Sequence, residues 1–296
     1  GLDVSEPRTS AEKAVGLLNE NIKSIEQVKQ LENPDAVVAL DEIQGLKMLS
    51  DYAIGLAGVL NGDTARFEAC FWEVTQIGYV WEFEESTVNN TIEFGGRHKV
   101  ILWEGGDGQL RAFAKEAKER LHDADRRGNA AWGRWSVGIS QMRHLPATLC
   151  TGEKFDTNLA IILPKRSEYL IPIWAYCSTE QYNDDVRKLS QKLNVTNASL
   201  VKVPFDLDHW TKVAEEKYPH GLPKPYTDDP TQWIFHGHPC GSVVWDEEKK
   251  WTARGSLRTD ETVLQVAVTR LLGYLWPAEL DTGMELADEQ REWVNR

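Results

Sequence analysis

The chain has 296 residues, 41% of them hydrophobic, and a net charge of −13, so it can bury a sizeable core and hold two structural units. No apolar run approaches the roughly 18 residues that a membrane span needs, and no basic, apolar signal segment opens the chain. Its four cysteines form no CxxC pair, which is typical of thiols in a reducing, cytoplasmic compartment. The chain starts with Gly and not with Met, as a fragment or a processed protein would.

Charge is distributed unevenly along the chain. Residues 97–166 contain 13 Lys/Arg and 8 Asp/Glu, a net charge of +5. The remainder of the chain contains 20 Lys/Arg and 38 Asp/Glu, a net charge of −18. The acidic total argues against a protein that coats nucleic acid, and the basic segment permits one localised face for a polyanion. Opposite charges at helical spacing also form ordinary solvated faces, so that alternative stays open.

The first 60 residues predict a helical hairpin. Apolar residues recur at three and four positions over 10–32, where Ser10 can cap a helix that Asn33-Pro34 stops. A second helix is predicted over 36–60, although Gly45, Gly55 and Gly58 weaken it. Such a pair is typical of a connector to another domain.

The rest of the chain predicts an α+β fold, in which a small sheet is flanked by helices. Asp107 and Asp206 are the predicted helix caps. A proline- and glycine-rich stretch over 219–240 predicts a surface wrap. Strands are predicted at 79–83, 98–103 and 200–203, and helices at 109–124, 169–177, 179–193, 208–217 and 262–274.

The centre of the predicted fold is the segment 132–164, WGRWSVGISQMRHLPATLCTGEKFDTNLAIILP. Its three apolar runs predict a sheet with one or both faces covered. Polar and basic residues fill the turns between the runs, among them Gln141, Arg143, His144 and Lys154. A rigid sheet with long hydrogen-bonding side chains in its turns can read base edges, and an ordinary hairpin with a solvated rim is the alternative.

Several catalytic signatures are absent from the sequence. It contains no GxGxxG or GxxxxGK[ST] motif for nucleotides and no GxSxG nucleophile elbow. Two pairs of carboxylates, Asp184-Asp185 and Asp228-Asp229, are interpreted as a helix face and a turn, because no acid or base partner stands at a telling distance.

His236, His238 and Cys240 form the most metal-like cluster, in FHGHPC. Alternate side chains of an extended segment face the same way, and imidazole and thiolate suit zinc. A simple turn is the favoured interpretation, because no fourth ligand is evident. A free-standing zinc enzyme is therefore the third hypothesis for function, and no metal site is assigned.

Five sequence blocks, in this order, resemble the C-terminal target-recognition region of large adenine-specific DNA methyltransferases. Those enzymes occur in bacterial restriction-modification and in DISARM- or BREX-like phage-defence systems. The resemblance runs from about residue 61 to residue 279. The blocks are NGDTARFEACFWEV (61–74), WGRWSVGISQMRHLPATLCTGEKFD (132–156), KLNVTNASLVKVPFDLDHW (192–210), DDPTQWIFHGHP (228–239) and LQVAVTRLLGYLWPAE (264–279).

The resemblance implies a helical connector (1–60), a target-recognition domain (61–280) and a polar tail (281–296). It implies double-stranded DNA as the partner, together with a catalytic methyltransferase domain and other defence-system subunits. S-adenosylmethionine and the Asn/Asp-Pro-Pro-Tyr motif belong to that separate domain. This chain has no Pro-Pro dipeptide, so no catalytic residue or cofactor is expected in it. In the family the block Gly62, Asp63, Arg66 and Phe67 opens the recognition region, and a structural pairing of Asp63 with Arg66 is an equal alternative to DNA contact.

Gln141 is expected to read adenine and Arg143 guanine, with His144 beside them. Arg97, Lys99, Arg134 and Lys154 are expected to contact phosphates, which would fix the register on the duplex. The rival hypothesis is a protein-interaction module of a defence complex, because the acidic surface and the twelve tryptophans suit partner subunits.

Overall fold

The computed structural model describes residues 9–19, 26–31, 47–74, 77–225, 243–246 and 251–254. Within these residues the protein is α+β, as the sequence predicts. The α-helices are α1 (Ser10–Asn19), α2 (Gln27–Gln30), α3 (Leu49–Tyr52), α4 (Thr64–Phe67), α5 (Gln109–Glu116), α6 (Lys118–Leu121), α7 (Leu170–Cys177), α8 (Glu180–Leu189), α9 (Asn197–Leu200) and α10 (Leu207–Lys217). The strands are β1 (Ala53–Ala57), β2 (Glu68–Cys70), β3 (Trp81–Glu85), β4 (Lys99–Leu102), β5 (Ser136–Ser140), β6 (Ala147–Cys150), β7 (Lys154–Phe155), β8 (Leu159–Pro164), β9 (Val243–Asp246) and β10 (Trp251–Arg254). No helix in this part of the chain is long and apolar enough to cross a membrane.

The larger core surrounds a four-stranded antiparallel sheet in the order β1-β8-β5-β6. Val137 of β5 lies opposite both Leu149 of β6 and Ile162 of β8. All residues of β5, β6 and β8 are buried, because residues from α7 to α10, including Trp174, cover one face and a cluster around Phe155 covers the other. The central sheet with covered faces is therefore confirmed.

The second sheet is smaller and mixed, in the order β2-β4-β3-β7. β2 and β3 each pair with β4 in antiparallel register, and β7 joins β3 in parallel, with Glu84 opposite Lys154. Ile101 and Trp103 pack with Phe67 in the core beside this sheet. The strands predicted at 79–83 and 98–103 are confirmed as β3 and β4, with shifted ends.

The segment 91–95 covers the outer edge of β6. The Ile92 N–H donates to the Ala147 carbonyl (3.0 Å), and the Leu149 N–H donates to the Glu93 carbonyl (2.7 Å). The backbone groups that an edge strand would otherwise leave unpaired are thus used within the fold.

The helix predicted over 36–60 is wrong at its C-terminal end, where β1 is the edge strand of the larger sheet. Gly55 and Gly58 allow the backbone of other segments to lie close to this part of the chain. A Cβ at Gly55 would lie 2.2 Å from the Asn197 carbonyl oxygen, and a Cβ at Gly58 would lie 2.0 Å from that of Asp156. Glycines that weaken a helical pattern therefore mark a crowded strand here.

The strand predicted at 200–203 is also wrong, because Thr196 starts the short helix α9 by accepting a hydrogen bond from the Ser199 N–H. Local capping thus wins over the apolar run. The helix predicted at 208–217 is confirmed as α10, and the predicted cap is present: the Asp206 carboxylate accepts from the His209 N–H at 3.1 Å.

The helix predicted at 109–124 is interrupted after Glu116, and α6 follows as a separate turn. The helix α5 begins at Gln109 with Gly108 as its N-cap, whereas the predicted cap Asp107 is exposed and lies one residue before Gly108. The helices predicted at 169–177 and 179–193 are confirmed as α7 and the shorter α8.

Several predictions fall outside the described residues. They include the cluster His236, His238 and Cys240, the helix at 262–274, the tail at 281–296 and much of the connector. The predicted boundary after residue 60 does not coincide with the edge of the core, which already contains Leu49 and Ala53.

Candidate nucleic-acid interface

The residues predicted to contact DNA lie in separate places around β5. Gln141, Arg143 and His144 follow the C-terminal end of β5, in the hairpin tip (residues 141–146) that joins β5 to β6. Arg134 precedes the N-terminal end, so the five residues of β5, about 17 Å of strand, separate it from the tip. Lys99 and Lys154 lie on strands of the second sheet. The structure therefore brings three of the predicted residues together and places the others elsewhere.

The hairpin tip forms one wall of a cleft of about 570 Å³, which we call the β5 cleft. The loop after β3 forms the opposite wall, and the turn before β8 closes one end. Its floor is buried, whereas its rims are exposed. The lining residues are Thr87, Val88, Asn89, Ser140, Gln141, Met142, Arg143, His144, Pro146 and Asn158.

Buried hydrogen bonds brace the floor of the β5 cleft. The Ser140 hydroxyl accepts from the Val88 N–H (2.9 Å) and donates to the Val88 carbonyl (3.1 Å). The side-chain amide of Gln141, which is 9% exposed, donates to the Val195 carbonyl at 2.9 Å. The Val195 N–H donates back to the Gln141 carbonyl at 2.9 Å. Gln141 therefore braces the cleft from below.

The backbone of the hairpin tip is held in an uncommon conformation. Arg143 and Leu145 have φ values of 57° and 50°, in the left-handed region that costs a residue with a side chain about 1–2 kcal/mol. Leu145 is buried, and the Arg187 guanidinium donates to the carbonyls of Arg143 and Lys192. The surrounding fold thus fixes the tip in a strained shape, a pattern that is found at functional sites.

Four side chains on the rims remain available for a ligand. Asn89, Arg143, His144 and Asn158 are exposed, and their side chains make no hydrogen bond with any other described residue. Two amides, a guanidinium and an imidazole offer both donors and acceptors. This combination can match the hydrogen-bonding edge of a planar heterocycle.

The cations of the second sheet are paired instead. Lys99 contacts Glu68 at 2.9 Å and Asp156 at 3.6 Å. Burial lowers the pKa of the Lys99 amine, but the hydrogen bond and charge of Glu68, together with the charges of Asp156 and Glu84, raise it by more, so the net pKa lies above the ordinary value. Arg97 is hydrogen-bonded to Glu153 in the same way.

Lys154 is enclosed more tightly than the other predicted cations. Its amine lies 2.5 Å from a Glu82 carboxylate oxygen, 4.3 Å from the ring centre of Trp103 and 4.8 Å from that of Trp132. Its side chain is 8% exposed. An amine between two indole faces and a carboxylate is stabilised by cation–π and ionic interactions, so this lysine serves the fold.

Sequence reasoning missed two buried carboxyls, Glu84 and Glu85, at the end of β3. They are 0% and 1% exposed, and their carboxyl oxygens make no hydrogen bond with the described residues. Burial raises the pKa of both well above the ordinary value, and Glu68 and Asp156 raise that of Glu84 further. Alternation along β3 places one on each face of the sheet, and the burial of both shows that both faces are covered at this point, which the sequence pattern does not reveal.

A second hollow, of about 680 Å³, lies beside the N-terminus of α10. Two of the three carboxylates that line it are engaged in the fold, because Asp206 caps α10 and Asp185 accepts from the Tyr176 hydroxyl at 2.9 Å. Trp210 also lines it, and this side chain belongs to the hydrophobic core. We assign no ligand to this hollow.

Arg66 packs against aromatic rings. Its guanidinium lies 4.8 Å from the ring centre of Phe67 and 5.9 Å from that of Phe113. The described residues contain no ion pair between its side chain and Asp63, and only the Arg66 N–H contacts that residue, at the carbonyl. The predicted side-chain pairing of Asp63 with Arg66 is therefore not found among the described residues, and the Arg66 guanidinium instead packs on the two rings and donates to the Gln109 side-chain carbonyl at 3.4 Å.

No family model matches the chain, and no curated protein matches it significantly. Among the described residues, no group of three or more His, Cys, Asp or Glu side chains is arranged to hold a metal ion. The geometry of the β5 cleft therefore carries the functional argument.

Proposed function

We propose that this chain is a DNA sequence-recognition module of an adenine-specific DNA methyltransferase. It would position the duplex so that a separate catalytic domain, which binds S-adenosylmethionine, can flip the target adenine out of the stack. The observation that carries the proposal is the hairpin tip, where Arg143 is exposed and free on a fixed backbone. The strands β5 and β6 are buried in the larger sheet, so only the exposed side chains of the tip that joins them would enter the major groove, which is about 12 Å wide.

The proposal assigns different roles to the predicted residues. Arg143 reads a guanine through its O6 and N7 atoms, and His144 contacts DNA beside it. Arg134, which is exposed at the far end of β5, contacts a phosphate. Gln141 and the paired cations of the second sheet support the module without touching DNA, because their polar groups are already used.

Titration of the full chain with a mixed pool of short duplexes, at low and moderate salt, tests this function. Sequencing of the bound fraction should enrich one short motif that survives added salt. Arg143→Ala should lower affinity for that motif by about 1–3 kcal/mol. Arg166→Ala is the matched control, because this exposed arginine follows β8 at the opposite end of the sheet. Absence of duplex binding at low salt would overturn the proposal.

One observation favours a protein-interaction module as the second candidate. Met142 on the hairpin tip is 45% exposed, and Leu193, next to its bridge partner Asn194, is 67% exposed. Neighbouring exposed apolar side chains are typical of a surface that meets another protein. Binding of a partner subunit that resists salt and is lost in Leu193→Asp, without any duplex binding, would favour this candidate.

A further inference from the structure

We infer that Asn158 reads an adenine beside the guanine that Arg143 contacts. This inference rests on the proposed function and adds to it a residue and a base. Asn158 lies in the turn before β8, at the end of the β5 cleft, and its side chain is exposed. It makes no side-chain hydrogen bond with the described residues.

The backbone of Asn158 is fixed on both sides. Its N–H donates to the Asp156 carboxylate at 2.7 Å, and its carbonyl accepts from the Gln141 N–H at 3.2 Å. The backbone that carries the amide is therefore fixed, so binding has to immobilise only the side chain, which favours specific recognition. The same bond to Gln141 links the backbone of Asn158 to the hairpin tip.

The chemistry of the cleft selects purines. An asparagine amide matches adenine by donating to N7 and accepting from the N6 amino group, and a guanidinium matches guanine at O6 and N7. Recognition of cytosine uses a carboxylate that accepts from N4, and no Asp or Glu stands among the lining residues of this cleft.

Gln141, the residue that the sequence suggested for adenine, is unsuited to it. One of its amide hydrogens is used by the Val195 carbonyl, and the side chain is 9% exposed. Asn89 lies on the opposite wall and is also exposed, but its own backbone makes no such pair of hydrogen bonds. Asn89 is accordingly the matched control for an amide in the same cleft.

The test removes one acceptor from the DNA. The adenines of the selected motif are replaced in turn by 7-deazaadenine, which carries a C–H in place of N7. At one position the wild-type chain should lose about 5- to 150-fold in affinity, the range expected for one base contact. Asn158→Ala should bind the natural and the substituted duplex equally, and Asn89→Ala should still discriminate between them. Asn158→Asp, which has only acceptors, should shift the preference at that position from adenine to cytosine.

The outcomes separate this inference from the function on which it rests. If Arg143→Ala weakens motif binding but the wild type ignores every substitution, the inference is overturned and DNA recognition stands. Discrimination that persists in Asn158→Ala, or that disappears in Asn89→Ala, also overturns it. Failure of the wild-type chain to bind any duplex would overturn both.

Discussion

The hairpin tip and the second sheet contain similar polar residues, but they use them in opposite ways. On the second sheet, Lys99 and Lys154 each contact carboxylates within 4 Å. On the tip, Arg143 and His144 are exposed, and their side chains contact no acid among the described residues. The net charge of a segment therefore overstates its free charge, because internal pairs cancel part of it before any ligand arrives.

The largest expected effect comes from removing a paired cation of the second sheet. Lys154→Ala removes the amine between Trp103, Trp132 and Glu82. Loss of the buried amine, with its cation–π contacts and its ion pair to the partly exposed Glu82, should lower the free energy of unfolding by about 1–3 kcal/mol. Urea denaturation measures the change. Lys115→Ala is the control, because its ion pair with Asp107 is exposed and should contribute little.

Arg143→Gly tests the hairpin tip, where the Arg143 side chain is exposed. Glycine tolerates the positive φ at this position, so the variant should be as stable as the wild type or up to about 1 kcal/mol more stable. It should nevertheless lose about 1–3 kcal/mol of specific DNA binding. Thermal unfolding and duplex titration measure the two quantities. A clear loss of stability would mean that the Arg143 side chain supports the fold, as the paired cations of the second sheet do.

Glu84→Gln tests the buried carboxyl of the second sheet through pH. Because burial and then Glu68 raise the folded pKa, the folded protein keeps this proton to a higher pH than the unfolded chain does. The stability of the wild type should therefore fall as pH rises above 4.5, the ordinary value, towards the raised pKa. Glu84→Gln should not show this part of the loss of stability. For each kcal/mol of unfolding free energy that the variant keeps and the wild type loses, the Tm of the variant should be higher by about 2–4 °C. Equal Tm profiles from acid to neutral pH would contradict it.

Arg134→Ala should have the smallest effect. Its guanidinium makes one weak hydrogen bond, to the Pro164 carbonyl at 3.3 Å, so stability should be unchanged within about 0.5 kcal/mol. Loss of one phosphate contact should weaken binding equally on all duplexes and reduce the slope of log affinity against log salt by about 0.9. A loss confined to one sequence would instead make Arg134 a base reader.

Local patterns were enough to predict the centre of the fold. The apolar runs of 132–164 became β5, β6 and β8, and Asp206 caps α10 as its sequence context suggests. Both features depend on neighbours in the chain, which a sequence displays directly.

The errors arose where distant segments decide the outcome. Gly55 lies in β1 and Gly58 directly follows it, where the Asn197 and Asp156 carbonyls leave no room for a side chain, and a propensity argument cannot include such contacts. Likewise, the hairpin tip was correctly placed in a turn, but the bond between Gln141 and Val195 spans 54 residues of sequence. A free side chain therefore cannot be told from a bracing one before the fold is known.

The strap of residues 91–95 has a consequence for assembly. Many proteins recruit partners, or aggregate, by adding a foreign strand to an open sheet edge. At β6 the strap already occupies the Ala147 carbonyl and the Leu149 N–H, so an incoming strand would first have to displace it. Recognition at this end of the molecule therefore depends on side chains of the loops, whose identity can change while the sheet beneath them stays the same.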